Sequence, residues 1–180
     1  MRTNVFIFCC LGMVILLNHS AFSQKITIEK SYPEAFLRAY DNYVNKNYAA
    51  SFEQFSALVE QTPQDREELL QDIMFYRASS AYEMMNKDAD ALLCEFISLC
   101  PQSAHCNEAY FLLANFYARG ERYDQAIEVS SKMNVAILNQ DDKFEYYYKR
   151  GHCLFMLNRY DEALEEFDNV KDAKSKFAAP

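Results

Sequence analysis

YFLLANFYARGERYDQAIEV, from Tyr110 to Val129, and YYKRGHCLFMLNRYDEALEEF, from Tyr147 to Phe167, are two copies of one pattern. A small residue (Ala114, Gly151) is followed three positions on by a bulky one (Tyr117, Leu154). Six further on comes a tyrosine (Tyr123, Tyr160), and three beyond that an alanine (Ala126, Ala163), with the copies 37 residues apart. Self-similarity at such a period signals stacked helical hairpins, because no single hairpin can bury its apolar face alone. A molecule built this way offers a surface on which something else is held.

Two further copies lie upstream. The first spans about 32–64, with Ala39 as the small residue, Tyr43 near the bulky slot and Tyr48 at the turn. Its second helix carries Ser51, Phe55 and Leu58, and Pro63 stops it, since proline removes a donor and clashes with the preceding turn. The second copy, about 72–101, reads Ser79, Tyr82 and Ala91, with Phe96 behind and Pro101 as the stop. It departs from the pattern: Asp88 stands where the others have tyrosine, and its second helix reads about two residues short. The clear copies occupy about 107–136 and 144–177. Small residues let paired helices approach, so Ala114 is expected to face Ala126, and Gly151 to face Ala163. Asn47, Asp124 and Asp161, near the second helices' starts, offer acceptors to unpaired N–H groups and suit the positive end of the dipole.

These residues resemble the tetratricopeptide repeat family over nearly the whole chain beyond the leader. The resemblance implies an all-α fold, an α-solenoid of about four helical hairpins. The Tyr-rich, acidic version also looks like the N-terminal part of long exported repeat proteins of Bacteroidetes cell envelopes. After Val170 the run KDAKSKFAAP, ending Phe177-Ala-Ala-Pro180, reads like the approach to another first helix. Leu164, Phe167 and Val170 would then be left partly bare, which suggests a fragment or a last face that needs a partner, self-association included.

In that family the first helices line a concave groove, and the resemblance projects three rows onto it. Phe36, Tyr76, Phe111 and Tyr148 form one row; Tyr40, Ser80, Asn115 and His152 the next; Tyr43, Glu83, Ala118 and Phe155 a third. Aromatics in all four copies of the first row suggest a ladder that receives apolar or aromatic side chains of a peptide, with Asn115 bonding its backbone. Packing between neighbouring hairpins is the competing explanation for each ring. Relatives that grip a carboxylate terminus place lysine and arginine in these rows. Only Arg119 approaches that character here, and Glu83, Glu108 and Glu145 oppose it.

Residues 1–23 read as a secretory leader. Arg2 is the positive region, Val5 to Leu17 is an uncharged run of 13 residues, and Ala21-Phe22-Ser23 suits a signal peptidase cutting before Gln24. The apolar run is shorter than the roughly 20 residues a spanning helix needs. Cys9 and Cys10 follow Phe-Ile-Phe, which is no lipoprotein signal. The expected product is exported, periplasmic or outer-membrane associated, with a short stretch, 24–31, before the first hairpin and no further spanning segment. Removal of the leader takes away one cation of 18 and leaves 17 Lys and Arg against 26 Asp and Glu, a net charge of −9. That balance disfavours nucleic acid as a partner.

Cys94, Cys100, Cys106 and Cys153 remain. Disulfides persist in exported proteins, and Cys100 and Cys106 flank the link between the second and third pairs. A bridge there would contribute about 2 kcal/mol. Four buried thiols are the alternative. Cys100, His105 and Cys106 lack the paired spacing of a zinc site, so neither a metal nor another cofactor is expected. No nucleophile motif or Gly-rich phosphate loop is present, and catalysis is not expected. The function expected is a non-catalytic scaffold binding protein or peptide partners in the cell envelope. The alternative is a structural spacer, or the repeat module of a larger protein whose catalytic or anchoring domain lies beyond residue 180.

Overall fold

The computed structural model describes residues 32–170. The leader over 1–23, the stretch 24–31 and the segment 171–180 with Phe177 lie outside the described residues. Within them the chain is all-helical, with no strand. The helices are α1 Glu34–Val44, α2 Tyr48–Gln61, α3 Glu67–Glu83, α4 Ala89–Leu99, α5 Cys106–Arg119, α6 Tyr123–Ser130, α7 Gln140–Met156 and α8 Tyr160–Asp168. A short 3-10 helix, Val135–Ile137, lies in the link before α7. Every helix packs against its neighbours in the chain, and α3 also meets α1 and α5.

Four tight turns close the pairs α1/α2, α3/α4, α5/α6 and α7/α8, and each uses one residue in the left-handed region. These are Lys46 (φ 62°), Met85 (55°), Glu121 (58°) and Asn158 (60°), spaced 39, 36 and 37 residues apart. One residue further on, an amide reaches back to the carbonyl five positions earlier. The bonds are Asn47 N to Asn42 O at 2.8 Å, Asn86 N to Ala81 O at 2.9 Å, Arg122 N to Tyr117 O at 2.9 Å and Arg159 N to Leu154 O at 3.0 Å. This is the helix-ending bond that satisfies an orphan carbonyl without a side chain.

The shared turn sets the true register of the copies. Counting seven residues back from each left-handed residue gives Ala39, Ala78, Ala114 and Gly151. The small residue of the second copy is therefore Ala78, one position before Ser79, and each second-copy assignment on α3 moves with it. The displacement arises because this turn takes four residues to reach α4 from Met85, where the others take two. Ala91 is consequently exposed, and the buried alanine at the start of α4 is Ala89. Nor is α4 short: its 11 residues exceed the 8 of α6 and the 9 of α8. Helices α3 and α7 begin at Glu67 and Gln140, ahead of the 72 and 144 read from the pattern.

Asn47 is the N-cap of α2 but makes no side-chain cap bond, and Asp124 and Asp161 lie in the first turns of α6 and α8. Side-chain capping occurs where the link is long. Asn139 Oδ1 accepts from the Asp142 amide at 2.9 Å, and the Asn139 amide donates to Asp142 Oδ2 at 2.6 Å. This reciprocal pair starts α7, where no tight turn fixes the entry angle.

The core is contiguous from Phe36 to Val129 and is floored by the fully buried rings of Phe36, Phe55, Phe75 and Phe96. Each such ring stabilises by about 2–3 kcal/mol through burial. Between α2 and α3 the fully buried Ser80 hydroxyl donates to the Tyr76 carbonyl at 2.7 Å and shares a hydrogen bond of 3.0 Å with Ser51 Oγ. A buried polar pair satisfied in this way aligns two helices without an orphaned hydroxyl. The last pair is fastened by Arg150, which donates to Glu166 at 2.8 Å, Ile127 O at 3.2 Å and Ser130 Oγ at 3.2 Å, tying α7 to α8 and to the end of α6. At Gly151 a Cβ would come within 2.6 Å of the Phe167 ring, so this glycine admits the aromatic ring of α8.

Candidate functional site

Helices α1, α3 and α5 together wall a groove of about 450 Å³. Tyr40, Tyr43, Tyr76 and Phe111 line it, with Tyr48 at one end. The tyrosines brace one another edge to face: Tyr40 and Tyr76 are 5.0 Å apart, Tyr43 and Tyr76 5.1 Å, and Tyr43 and Tyr48 5.7 Å. Such pairs hold their angles more firmly than area burial alone would. Tyr43 shares a hydrogen bond of 2.8 Å with Ser79. Tyr76 is only 6% exposed, yet its hydroxyl has no hydrogen-bond partner among the described residues and is not enclosed. It therefore reaches the groove that its ring lines. Lys46, Glu83, Glu108 and Glu145 complete the walls.

A polar array sits at the α5 end of the groove. The Tyr32 hydroxyl donates to Asp72 Oδ2 at 2.6 Å, and His105 Nε2 lies 3.2 Å from Asp72 Oδ1. The other imidazole nitrogen is 4.0 Å from Glu108. The imidazole stacks on Phe75 with centroids 4.2 Å apart and planes 5° from parallel. Burial opposes protonation of His105. The contact with Asp72, together with the charges of Asp72 and Glu108, outweighs it and pushes the imidazole up to about 9. The two carboxylates thus favour the protonated form of this half-buried ring at neutral pH.

The groove gathers four of the nine residues read from the rows, Tyr40, Tyr43, Tyr76 and Phe111. Phe36 is not on its surface: 1% exposed, it is enclosed by Tyr32, Phe55 and Tyr76 with centroids at 4.3, 5.4 and 6.1 Å. Asn115 is buried beside the Tyr82 hydroxyl and lines a separate cavity of about 20 Å³. That space admits about one water, so Asn115 is not placed to bond a partner's backbone. Tyr148, His152 and Phe155 lie on α7 away from the groove. Tyr148 stacks on Phe144, His152 meets Tyr123, and Phe155 meets Tyr160. With the register set by the turns, the equivalent rows are Phe36, Phe75, Phe111 and Tyr148; Tyr40, Ser79, Asn115 and His152; and Tyr43, Tyr82, Ala118 and Phe155. Tyr76 enters the groove from beside its row.

Cys100 and Cys106 are separate thiols, as are Cys94 and Cys153. The Cys106 thiol donates to the Cys100 carbonyl at 2.9 Å, so the short link is closed by a thiol bond to the main chain and not by a bridge. Burial raises the pKa of both thiols, which keeps them protonated. Among the described residues no group of three or more His, Cys, Asp or Glu is arranged to hold a metal ion, and no helix is long and apolar enough to cross a membrane. The imidazolium array escaped sequence reading, since Tyr32, Asp72 and His105 share no motif spacing. No protein-family model matches the chain, and no curated protein matches it.

Proposed function

We propose that this chain is an exported, non-catalytic scaffold of tetratricopeptide-like hairpins stacked as an α-solenoid. On this reading it is periplasmic or associated with the outer membrane, and it holds a peptide or protein segment of the cell envelope in the groove between α1, α3 and α5. The observation that carries the reading is the groove itself: open, about 450 Å³, and walled by tyrosines whose rings are braced and therefore preorganised. Recurrence of one turn, with one hydrogen-bond pattern, in all four pairs supports the repeat assignment. A photo-crosslinking amino acid at Tyr40, compared with one at exposed Ala57 on α2, tests the reading in an envelope fraction. Discrete adducts at Tyr40 alone are expected; equal labelling at both positions, or none, would sink it.

A specific observation favours the spacer or repeat-module alternative. Phe155, Met156 and Leu164 are 54%, 45% and 61% exposed on the last pair. Exposed large apolar side chains gathered on one pair suit a contact face. Adducts confined to a crosslinker at Leu164 would support that reading over the groove.

A further inference from the structure

The seams between successive pairs differ in one place, and that place opens into the groove. Three residues before each left-handed turn residue stand Tyr43 and Tyr82 in the first two copies. Tyr82 is capped by the guanidinium of Arg119, whose carbon lies 4.6 Å from the ring centroid. Arg119 sits two residues before the turn residue of the third copy; the same position in the second copy, next to Tyr43, is Glu83. Where one seam carries its own arginine over a tyrosine, the other presents a carboxylate and leaves the ring at the groove wall. One further seam contact uses the same chemistry, Lys149 over Phe111 at 4.7 Å, and within the third pair Arg122 lies over Tyr117 at 4.3 Å.

The charges around the space are mixed but unevenly committed. Glu145 is paired with Lys149 at 2.7 Å, and Glu108 and Asp72 both face the His105 imidazolium. Glu83 has no ion pair among the described residues. Lys46, exposed on its turn, is the one cation among the residues that line the groove besides the His105 ring. Burial is the main cause that raises the Tyr43 and Tyr48 hydroxyls; Glu83 adds to both and Glu108 to Tyr43, where the Ser79 hydrogen bond opposes them. The Tyr76 hydroxyl, which no described residue hydrogen-bonds and which is not enclosed, adds an acceptor at the groove wall.

We propose that the groove takes the cationic side chain of a basic peptide segment, arginine above all, laid on the Tyr40 and Tyr43 rings and bonded by Glu83 and the Tyr76 hydroxyl. The proposal rests on the reading of the groove as a peptide site. A planar guanidinium stacks on tyrosine faces while its N–H groups donate in the plane to a carboxylate. It restores at this seam the contact that Arg119 makes at the next one.

The test uses the chain from Gln24 and three fluorescein-labelled dodecapeptides that alternate leucine with arginine, glutamine or glutamate, followed by anisotropy. The arginine peptide is expected to bind about tenfold or more tighter than the glutamine peptide, in line with a desolvated cation–π contact, and the glutamate peptide not at all. Glu83→Gln and Tyr76→Phe should each weaken the arginine peptide several-fold. Glu53→Gln, which removes the same charge from an exposed site on α2, should not. Equal losses in Glu83→Gln and Glu53→Gln would reduce the effect to net charge and overturn the proposal. Equal binding of the arginine and glutamine peptides, both weakened by Tyr40→Ala, would overturn it while sparing the groove. Binding of neither peptide would overturn both.

Discussion

Between the Phe75 ring and two carboxylates, the His105 imidazole is held in its charged form by partners from another helix and from its own. Its folded-state pKa of about 9 lies above the ordinary 6.5. A raised histidine stabilises the fold fully below about pH 6.5 and loses that contribution as pH rises through about 9. Urea titrations should show stability falling by on the order of 3 kcal/mol across that window, since one pKa unit is about 1.4 kcal/mol. In His105→Asn the decline over pH 6.5–9 should vanish; its persistence would show that another group carries it. Asp142, raised from 3.8 to about 6 by burial and by Glu145, Asp141 and Glu108, favours the fold below the lower value and loses that contribution as pH rises through about 6, so the two windows separate. None of this is legible one residue at a time. His105 looks like any polar residue in a link until folding brings Asp72 to 3.2 Å.

At the scale of the element, the hairpin turn matters more than the caps. Its left-handed residue is lysine, methionine, glutamate or asparagine, and of these only asparagine tolerates that region readily. Gly120 immediately precedes one of them, yet its own φ is −85°, so the glycine in the sequence points to the wrong residue. The second-copy register slipped because this turn takes four residues to reach α4 where the others take two, and a methionine in the left-handed region leaves no compositional trace to reveal it. Met85 is 76% exposed and contributes little packing. Met85→Gly should therefore relieve backbone strain and stabilise by about 1 kcal/mol, read as a higher urea midpoint at unchanged slope. Met85→Val should move the midpoint the other way. A lower midpoint for the glycine variant would show that the turn is unstrained.

Across the whole molecule, burial is unevenly distributed along the chain. Helix α3 buries nine residues, from Ile73 to Tyr82, whereas α8 buries Ala163 alone. Contacts run between sequential helices, so each pair's stability depends on its neighbours. Native-state hydrogen exchange should find the slowest amides in α3 and the fastest helical amides in α8, with α8 opening below the global unfolding free energy. Uniform protection across all eight helices would indicate one cooperative unit. The groove lies against α3, the best-buried element, which suits a preorganised surface.

The repeated spacing of small, bulky and tyrosine residues was enough to determined helices in pairs, because the packing of two helices depends on residues only a few turns apart. It also marked Tyr40, Tyr43 and Phe111, since aromatic periodicity is a local property of the chain, whereas Tyr76 was reached only through the slipped register of the second copy. Which rings are enclosed, as Phe36 is, and which face open space, as Tyr40 does, was decided by the tertiary structure alone. So were the charged imidazole and the missing arginine beside Tyr43. Burial and charge pairing depend on neighbours some 30 or more residues away, and the exact length of each turn settles which neighbours those are.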